Sequence, residues 1–137
     1  QGSGGNQVAV SSIKPGSSRD FVVNVGDRVF FGFDKSSLSS DARSQLEKQA
    51  AWLKKFGSVS LTLEGHADER GTREYNLALG ERRANSAKDF LVALGVAPNR
   101  IKVISYGKER PAALGQNEAA WRQNRRAVTI VASGPGS

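Results

Sequence analysis

Residues 59–95 have the sequence VSLTLEGHADERGTREYNLALGERRANSAKDFLVALG, in which a strand, a turn and a long helix follow one another. The segment from Val59 to Glu64 alternates apolar and polar side chains, which is the period of a strand with one buried face. Thr72 is a candidate N-cap for the helix, and Gly95 is its expected stop. The core face of this helix is predicted to consist of Ala84, Ala87, Leu91 and Leu94.

A further amphipathic helix is predicted upstream and ends at Gly57. The candidates for its N-cap are Ser39, Ser40 and Asp41. Its core face is expected to consist of Ala42, Leu46, Ala50 and Leu53. Before this helix, residues 21–25 and 28–33 are rich in valine and phenylalanine, which predicts two extended segments. The second segment is expected to place on one face Val29, Phe31 and Phe33.

Downstream of the quoted stretch, Ile101 to Ile104 is predicted to be a core strand and Ala127 to Val131 the final strand. Asn117 is a candidate cap for a short helix through Trp121 between them. The order is therefore β-α-β-α-β-(α)-β, which favours parallel neighbours joined by helical crossovers. We predict a two-layer α+β (α/β) sandwich, a mixed four-stranded sheet with helices on one face, because two long helices cannot cover both faces.

The composition divides the chain into three parts. Residues 1–20 are rich in glycine and serine and are expected to be a flexible leader, either a tether or, in part, a remnant of cloning. Residues 21–132 are predicted to form one domain, and residues 133–137 a flexible tail. There is no run of about 18 apolar residues of the kind that spans a bilayer.

Charge and cysteine content limit the possible functions. The net charge of +7 and the pI near 10.1 favour an anionic partner such as nucleic acid, a membrane surface or a cell-wall polymer. The absence of cysteine excludes disulfides, thiolate metal sites and cysteine nucleophiles. Pairs of arginines at 82–83 and 125–126 leave a nucleic-acid-binding domain as the alternative function, although no aromatic-rich strand motif accompanies them.

The carboxyl ends of parallel strands are where α/β sheets bind ligands, and two acids, Asp34 and Asp68, follow predicted strands. Asn76 and Arg83 are spaced to lie on one face of the following helix. Between them lie Leu79 and Gly80, and a glycine inside a helix suggests a close approach to the backbone. A carboxylate and a guanidinium in one cleft suit a zwitterionic ligand. We expect Arg83 to be a polar cleft residue whose replacement by alanine costs less than about 1 kcal/mol of stability.

Structural explanations compete with this hypothesis. Asp68 could only cap a turn, Arg83 could be a solvated helical arginine, and the two could merely pair with each other. His66, the single histidine, has no partners for catalysis or for metal binding, so we predict a structural or pocket-wall role. The serines lack the elbow motif of hydrolases. We therefore expect no enzymatic activity, no cofactor and no metal.

The segment GHADERGTREYNLALGERRA, residues 65–84, closely resembles the signature of the peptidoglycan-associated lipoprotein branch of the OmpA-like C-terminal domain family. Further matches are FGFD at 31–34, SYG at 105–107 with Arg110-Pro111, and NRR at 124–126. The resemblance covers about Val25 to Val131. The pair His66-Ala67 favours this branch, because many relatives outside it have an aromatic residue and a threonine there.

The resemblance implies a non-catalytic protein that binds peptidoglycan. Asp68 and Arg83 would hold the free zwitterionic end of diaminopimelate in the stem peptide, Phe33 and Asp34 would line the pocket, and the border residues would be Asn76 and Leu79. It also implies a tether of the outer membrane to the cell wall within the Tol-Pal system, with TolB as a partner that competes with peptidoglycan and with no role for nucleic acid. The protein would be periplasmic, anchored to the inner leaflet of the outer membrane of a Gram-negative bacterium through an upstream lipidated cysteine.

Overall fold

The computed structural model describes residues 12–132, which form a sheet covered by helices. The strands are β1 (Arg28–Phe30), β2 (Leu61–His66), β3 (Ile101–Gly107) and β4 (Arg126–Val131). The helices are α1 (Ser40–Lys55), α2 (Arg73–Ala93) and α3 (Glu118–Asn124). Short helical turns occupy Ser18–Asp20, Phe21–Val25 and Pro98–Arg100. None of the helices within residues 12–132 is long and apolar enough to cross a membrane.

The strand order in the sheet is β1-β4-β2-β3. β2 and β3 are parallel and are joined by α2, whereas β4 is antiparallel to both of its neighbours. The loop after β3 and α3 remain at the carboxyl end of β3, so β4 begins there and runs back. The predicted mixed four-stranded sheet is confirmed, and only one of its three strand pairs is parallel.

The two long helices begin where the sequence predicts. The Ser39 side chain accepts a hydrogen bond from the backbone N–H of Ala42, and Thr72 accepts one from Tyr75. Each cap satisfies an N–H group that the first turn of a helix would otherwise leave without a partner. Gly95, just after α2, has φ of 106°, a left-handed conformation that ends helices.

The core lies between the helices and one face of the sheet. The predicted stripes of α1 and α2 are buried, apart from the half-buried Leu94 at the end of α2: Ala42, Leu46, Ala50, Leu53, Ala84, Ala87 and Leu91. They pack against sheet residues that include Val29, Leu61 and Leu63. On the opposite face Lys102, Ile104 and Ile130 are exposed, so the domain has two layers.

Residues 21–25 do not form the predicted strand but a π-helical turn. The reason is tertiary: Phe21 is fully buried, with its ring centroid 4.9 Å from that of Trp52 in an edge-to-face contact. Trp52 in turn donates a hydrogen bond to Asp20. A turn buries Phe21 and leaves Val22 and Val23 exposed, whereas a strand would have alternated.

Two further expectations for the beginning of the domain need correction. β1 ends at Phe30, and Phe33 is 60% exposed instead of sharing a buried face with Val29 and Phe31. Ser17, within the predicted flexible leader, is buried and caps the helical turn Ser18–Asp20. The rest of the predicted leader up to residue 11, and the predicted tail 133–137, lie outside the described residues.

A close approach of two glycines sets the distance between α2 and β2. A Cβ atom on Gly65 would lie 1.6 Å from the carbonyl oxygen of Gly80. Because that oxygen belongs to the backbone, no side-chain movement could remove the clash. The Ser105 hydroxyl donates to the Leu77 carbonyl at 2.7 Å and fixes α2 to β3 in the same region. The close approach inferred from Gly80 is confirmed, and the group that approaches is strand backbone. The start of α2 is thereby held beside the carboxyl end of β2.

Candidate binding pocket

A pocket of about 240 Å³ lies where the turn after β1, the loop after β2 and the first turns of α2 meet. All six residues predicted for the site line it, and three others join them. The lining residues are Phe33, Asp34, Asp68, Arg70, Gly71, Tyr75, Asn76, Leu79 and Arg83. The carboxyl end of a parallel strand is therefore where the predicted groups come together, as for other α/β sheets.

Arg83 forms the floor of the pocket and is fully buried. It donates three hydrogen bonds to backbone carbonyls: Nε to Lys35 at 2.8 Å, Nη1 to His66 at 2.9 Å and Nη2 to Gly32 at 3.1 Å. Because a guanidinium has five N–H groups, one on each terminal nitrogen remains. Arg83 thus joins the turn after β1 to the end of β2.

Arg83 lines the cleft as expected, but its burial and its three bonds to backbone carbonyls lead us to expect a stability cost above about 1 kcal/mol for its replacement by alanine. Burial, together with the nearby Arg125, lowers the pKa of Arg83 to about 10, which still leaves it positively charged at neutral pH. Its charge is buried and faces three backbone carbonyl oxygens. Among the described residues, no hydrogen bond joins Arg83 to Asp68, so the two do not form a simple pair.

Asp68 lies beside Arg83 and is 5% exposed. Its carboxylate accepts from Arg70 through the backbone N–H at 3.0 Å, Nε at 3.2 Å and Nη2 at 2.8 Å, and from Arg125 Nη1 at 3.5 Å. Burial alone would raise the pKa of Asp68, but the hydrogen bonds from Arg70 and Arg125 hold it below its usual value. Asp68 is therefore ionised at neutral pH, and it caps the turn as well as facing the pocket.

Arg70 is one of three pocket residues that the sequence did not predict, together with Gly71 and Tyr75. Its guanidinium carbon lies 4.2 Å from the ring centroid of Phe33 and 3.9 Å from that of Trp121. Trp121 is itself held by a hydrogen bond from its indole N–H to Glu69 at 3.1 Å. Contacts with two aromatic rings stabilise a guanidinium in one orientation. Trp121 is distant along the chain from the motif at residues 65–84, so the sequence pattern does not predict its contact with Arg70.

The opposite rim of the pocket is formed by Asp34 and Tyr75. Asp34 has φ of 58° and is the only residue other than glycine with a positive φ within residues 12–132. The Tyr75 hydroxyl donates to the Asp34 carboxylate, and this hydrogen bond raises the pKa of Tyr75. Both side chains are exposed. A left-handed aspartate at a pocket rim is a conformation that function often maintains.

The remaining predicted residues support the walls. Asn76 is buried and donates from Nδ2 to the carbonyls of Arg70 at 2.8 Å and Thr72 at 3.0 Å, so it fixes the loop after β2. Leu79 is buried and supplies apolar surface. Asn76 thus shapes the loop that carries Asp68 and Arg70.

His66 lies behind the pocket. It is 1% exposed, its Nε2 is 3.1 Å from Glu64 Oε1, and its ring stacks on Tyr106 with centroids 5.6 Å apart. Burial, and then the charge of Arg126, lower the pKa of His66 to about 4. The ring is neutral at neutral pH and its backbone carbonyl holds Arg83, which is a structural role. Within residues 12–132 no cluster of three potential metal ligands occurs.

The sequence and the fold are similar to those of known proteins. The OmpA family model matches residues 30–125. A peptidoglycan-associated lipoprotein of Mesorhizobium japonicum is 59% identical over 123 residues, which cover 90% of this chain and 73% of the relative. The crystal structure of the peptidoglycan-associated lipoprotein from Burkholderia pseudomallei has a TM-score of 0.74 and 42% identity, and covers 77% of this chain and 89% of that chain.

A more distant structure shares the fold alone. The C-terminal domain of Helicobacter pylori MotB has a TM-score of 0.73 at 22% identity, and covers 80% of this chain and 86% of that chain. The sheet and helices that carry the pocket therefore recur in proteins of low sequence identity.

Proposed function

The chain belongs to the OmpA family, and we propose that its pocket binds the free zwitterionic end of diaminopimelate in the stem peptide of peptidoglycan, without catalysis. The observation that carries this proposal is the meeting of two carboxylates and two guanidinium groups around one pocket: Asp34, Asp68, Arg70 and Arg83. An amino acid head group presents one ammonium and one carboxylate, which these groups match. The name of the relatives, peptidoglycan-associated lipoprotein, supports the same ligand.

The ligand's carboxylate would be bound by the two N–H groups that Arg83 has left, one on each terminal nitrogen. Two N–H groups of one guanidinium can bind a carboxylate in a bidentate manner. The ligand's ammonium would be bound by Asp68, with Asp34 facing it across the pocket. Because Arg70 already donates to Asp68, the ammonium must share this carboxylate with Arg70 or displace it.

In the cell envelope such binding would tether the outer membrane to the cell wall. The word lipoprotein in the names of the relatives supports a lipid anchor on a cysteine upstream of Gln1, in the inner leaflet of the outer membrane. The domain would then lie in the periplasm and act within the Tol-Pal system. TolB would be its protein partner and would compete with peptidoglycan.

The structure removes most of the basis for nucleic-acid binding. Of the arginine pairs that motivated this alternative, Arg83, Arg125 and Arg126 are buried and bonded within the protein. Only Arg82 is exposed. Binding to nucleic acid would weaken steeply with added salt through counterion release, so a titration in increasing salt distinguishes the two functions.

The test is calorimetry with two soluble muropeptides that differ in one carboxylate. A lysine-type stem peptide keeps the side-chain ammonium of diaminopimelate but lacks the carboxylate beside it, so Arg83 would lose its partner. We expect the lysine form to bind more weakly by about 1.5–3 kcal/mol, the scale of a charged hydrogen bond. Pull-down with intact sacculi of the two wall types provides a second measurement. Equal affinity for the two muropeptides would rule out the zwitterion site.

A further inference from the structure

The two edges of the sheet differ in how far they extend. β1 forms one edge and is three residues long, whereas β3 forms the other and is seven residues long. Within the described part of the chain, β3 has a strand neighbour only on the side of β2. The backbone groups of β3 that point away from β2 can therefore pair with another extended chain.

A groove of about 430 Å³ runs between this edge and α2, on the other side of α2 from the ligand pocket's residues Asn76 and Arg83. It is lined by Leu77, Ala78, Glu81, Val103, Ile104 and Ser105. Leu77 and Val103 are only half-buried, so the groove has an apolar surface that solvent reaches.

Glu81 gives the groove a negative charge. It is exposed and makes no ion pair with the residues the structure describes, although the chain as a whole carries a net charge of +7. A lysine or arginine of a bound segment would complement it. Alternate residues of an extended segment face the same side, so apolar residues at every second position would contact Leu77 and Val103.

We propose that this groove binds an extended segment of another polypeptide, which adds a fifth strand beside β3 and has alternating apolar residues and a lysine or arginine that pairs with Glu81. Backbone hydrogen bonds to an exposed edge, with side-chain pockets beside it, are a general mode of peptide recognition. The interaction is separate from wall binding, since none of the groove residues lines the ligand pocket.

A second copy of the chain fits the groove less well. Lys102 is the basic residue within β3, and it lies on the sheet face away from α2, which carries Glu81, so a second β3 would bring no cation to Glu81. The net charge of +7 also opposes self-association. The length of the edge alone would permit a dimer, so the oligomeric state is measured together with peptide binding.

The experiment selects binders from a displayed library of short random peptides and measures their affinity by fluorescence anisotropy. Two variants alter the groove: Glu81→Lys reverses its charge, and Ala78→Arg fills it from an exposed position on α2. Glu47→Lys, exposed on α1, makes the same charge change elsewhere. We expect the selected peptides to contain alternating apolar residues and a cation. Both groove variants should weaken their binding at least tenfold, about 1.4 kcal/mol, and Glu47→Lys should leave it unchanged.

Three outcomes would overturn the proposal. They are the absence of enrichment over the bare support, equal affinity for Glu81→Lys and the wild type, and a wild-type dimer in sedimentation that Ala78→Arg dissociates. The last outcome would assign the groove to a second copy of the chain. Hydrogen exchange provides an independent measurement, because a bound strand should slow the exchange of amides in β3 and leave those in β1 unchanged.

Discussion

The floor and the rim of the pocket are built differently, although both consist of charged side chains. On the floor, Arg83 is fully buried and its hydrogen bonds go to the protein's own carbonyls. On the rim, Asp34 and Tyr75 are exposed and Arg70 contacts the rings of Phe33 and Trp121. A substitution on the floor removes a ligand contact and a structural support together, whereas one on the rim affects mainly the ligand. Loss of binding alone therefore does not identify a ligand contact.

The largest effect is expected from Arg83→Ala. It removes a donor from the carbonyls of Lys35, His66 and Gly32, although Gly32 still accepts from the backbone N–H of Lys35. We therefore expect a loss of about 3–5 kcal/mol of unfolding free energy, the scale of breaking a buried charged network. Urea denaturation measures this value, with Leu91→Ala on the core face of α2 as a comparison at about 2–5 kcal/mol. A loss below about 1 kcal/mol would show that Arg83 is not important for stability.

Asp68→Asn separates the charge of the site from its shape. The substitution keeps one acceptor oxygen but removes the charge that Arg70 and the ligand's ammonium share, and it adds a donor. We expect muropeptide binding to weaken by roughly 2–4 kcal/mol in calorimetry. The matched control is Asp41→Asn, exposed in the first turn of α1. If Asp68→Asn binds like the control, Asp68 only caps the turn.

His66 makes the floor sensitive to acid. Its pKa is lowered from 6.5 to about 4 in the folded state, so the unfolded state binds the proton more readily between these values. The stabilisation is complete above pH 6.5 and is lost as the pH falls towards 4, by up to about 3 kcal/mol. Because the chain has a single histidine, the difference between wild type and His66→Gln in urea unfolding across this range isolates the effect. Parallel pH profiles of the two proteins would contradict it.

Features that depend on neighbouring residues could be predicted from the sequence, whereas features that depend on tertiary contacts could not. Caps, helix stripes and the alternation of β2 depend on neighbouring residues, so Ser39, Thr72 and the core face of α2 were predicted correctly. The strand predicted at Phe21 does not form, because the ring packs on Trp52, which is distant along the chain. Six of the nine residues that line the pocket were predicted, from strand ends, helix spacing and family resemblance. The burial of Arg83 and the stacking of Arg70 on Trp121 depend on tertiary contacts that no local pattern contains.

The smallest effect, and one of opposite sign for stability and binding, is expected at Asp34. Its φ of 58° is unfavourable for most residues but accessible to glycine. Asp34→Gly should therefore raise the unfolding free energy by up to about 1 kcal/mol, while muropeptide binding weakens because the rim loses its carboxylate. Asp34→Asn is the matched control, since asparagine tolerates the left-handed region: it should lose binding without gaining stability. Calorimetry with the muropeptide and urea unfolding measure the two quantities on the same samples.

If both variants bind as the wild type does, Asp34 is only a turn residue and the ammonium is held by Asp68 alone. If Asp34→Asn weakens binding more than Asp68→Asn, Asp34 is the principal anchor of the ammonium and Asp68 has a supporting role.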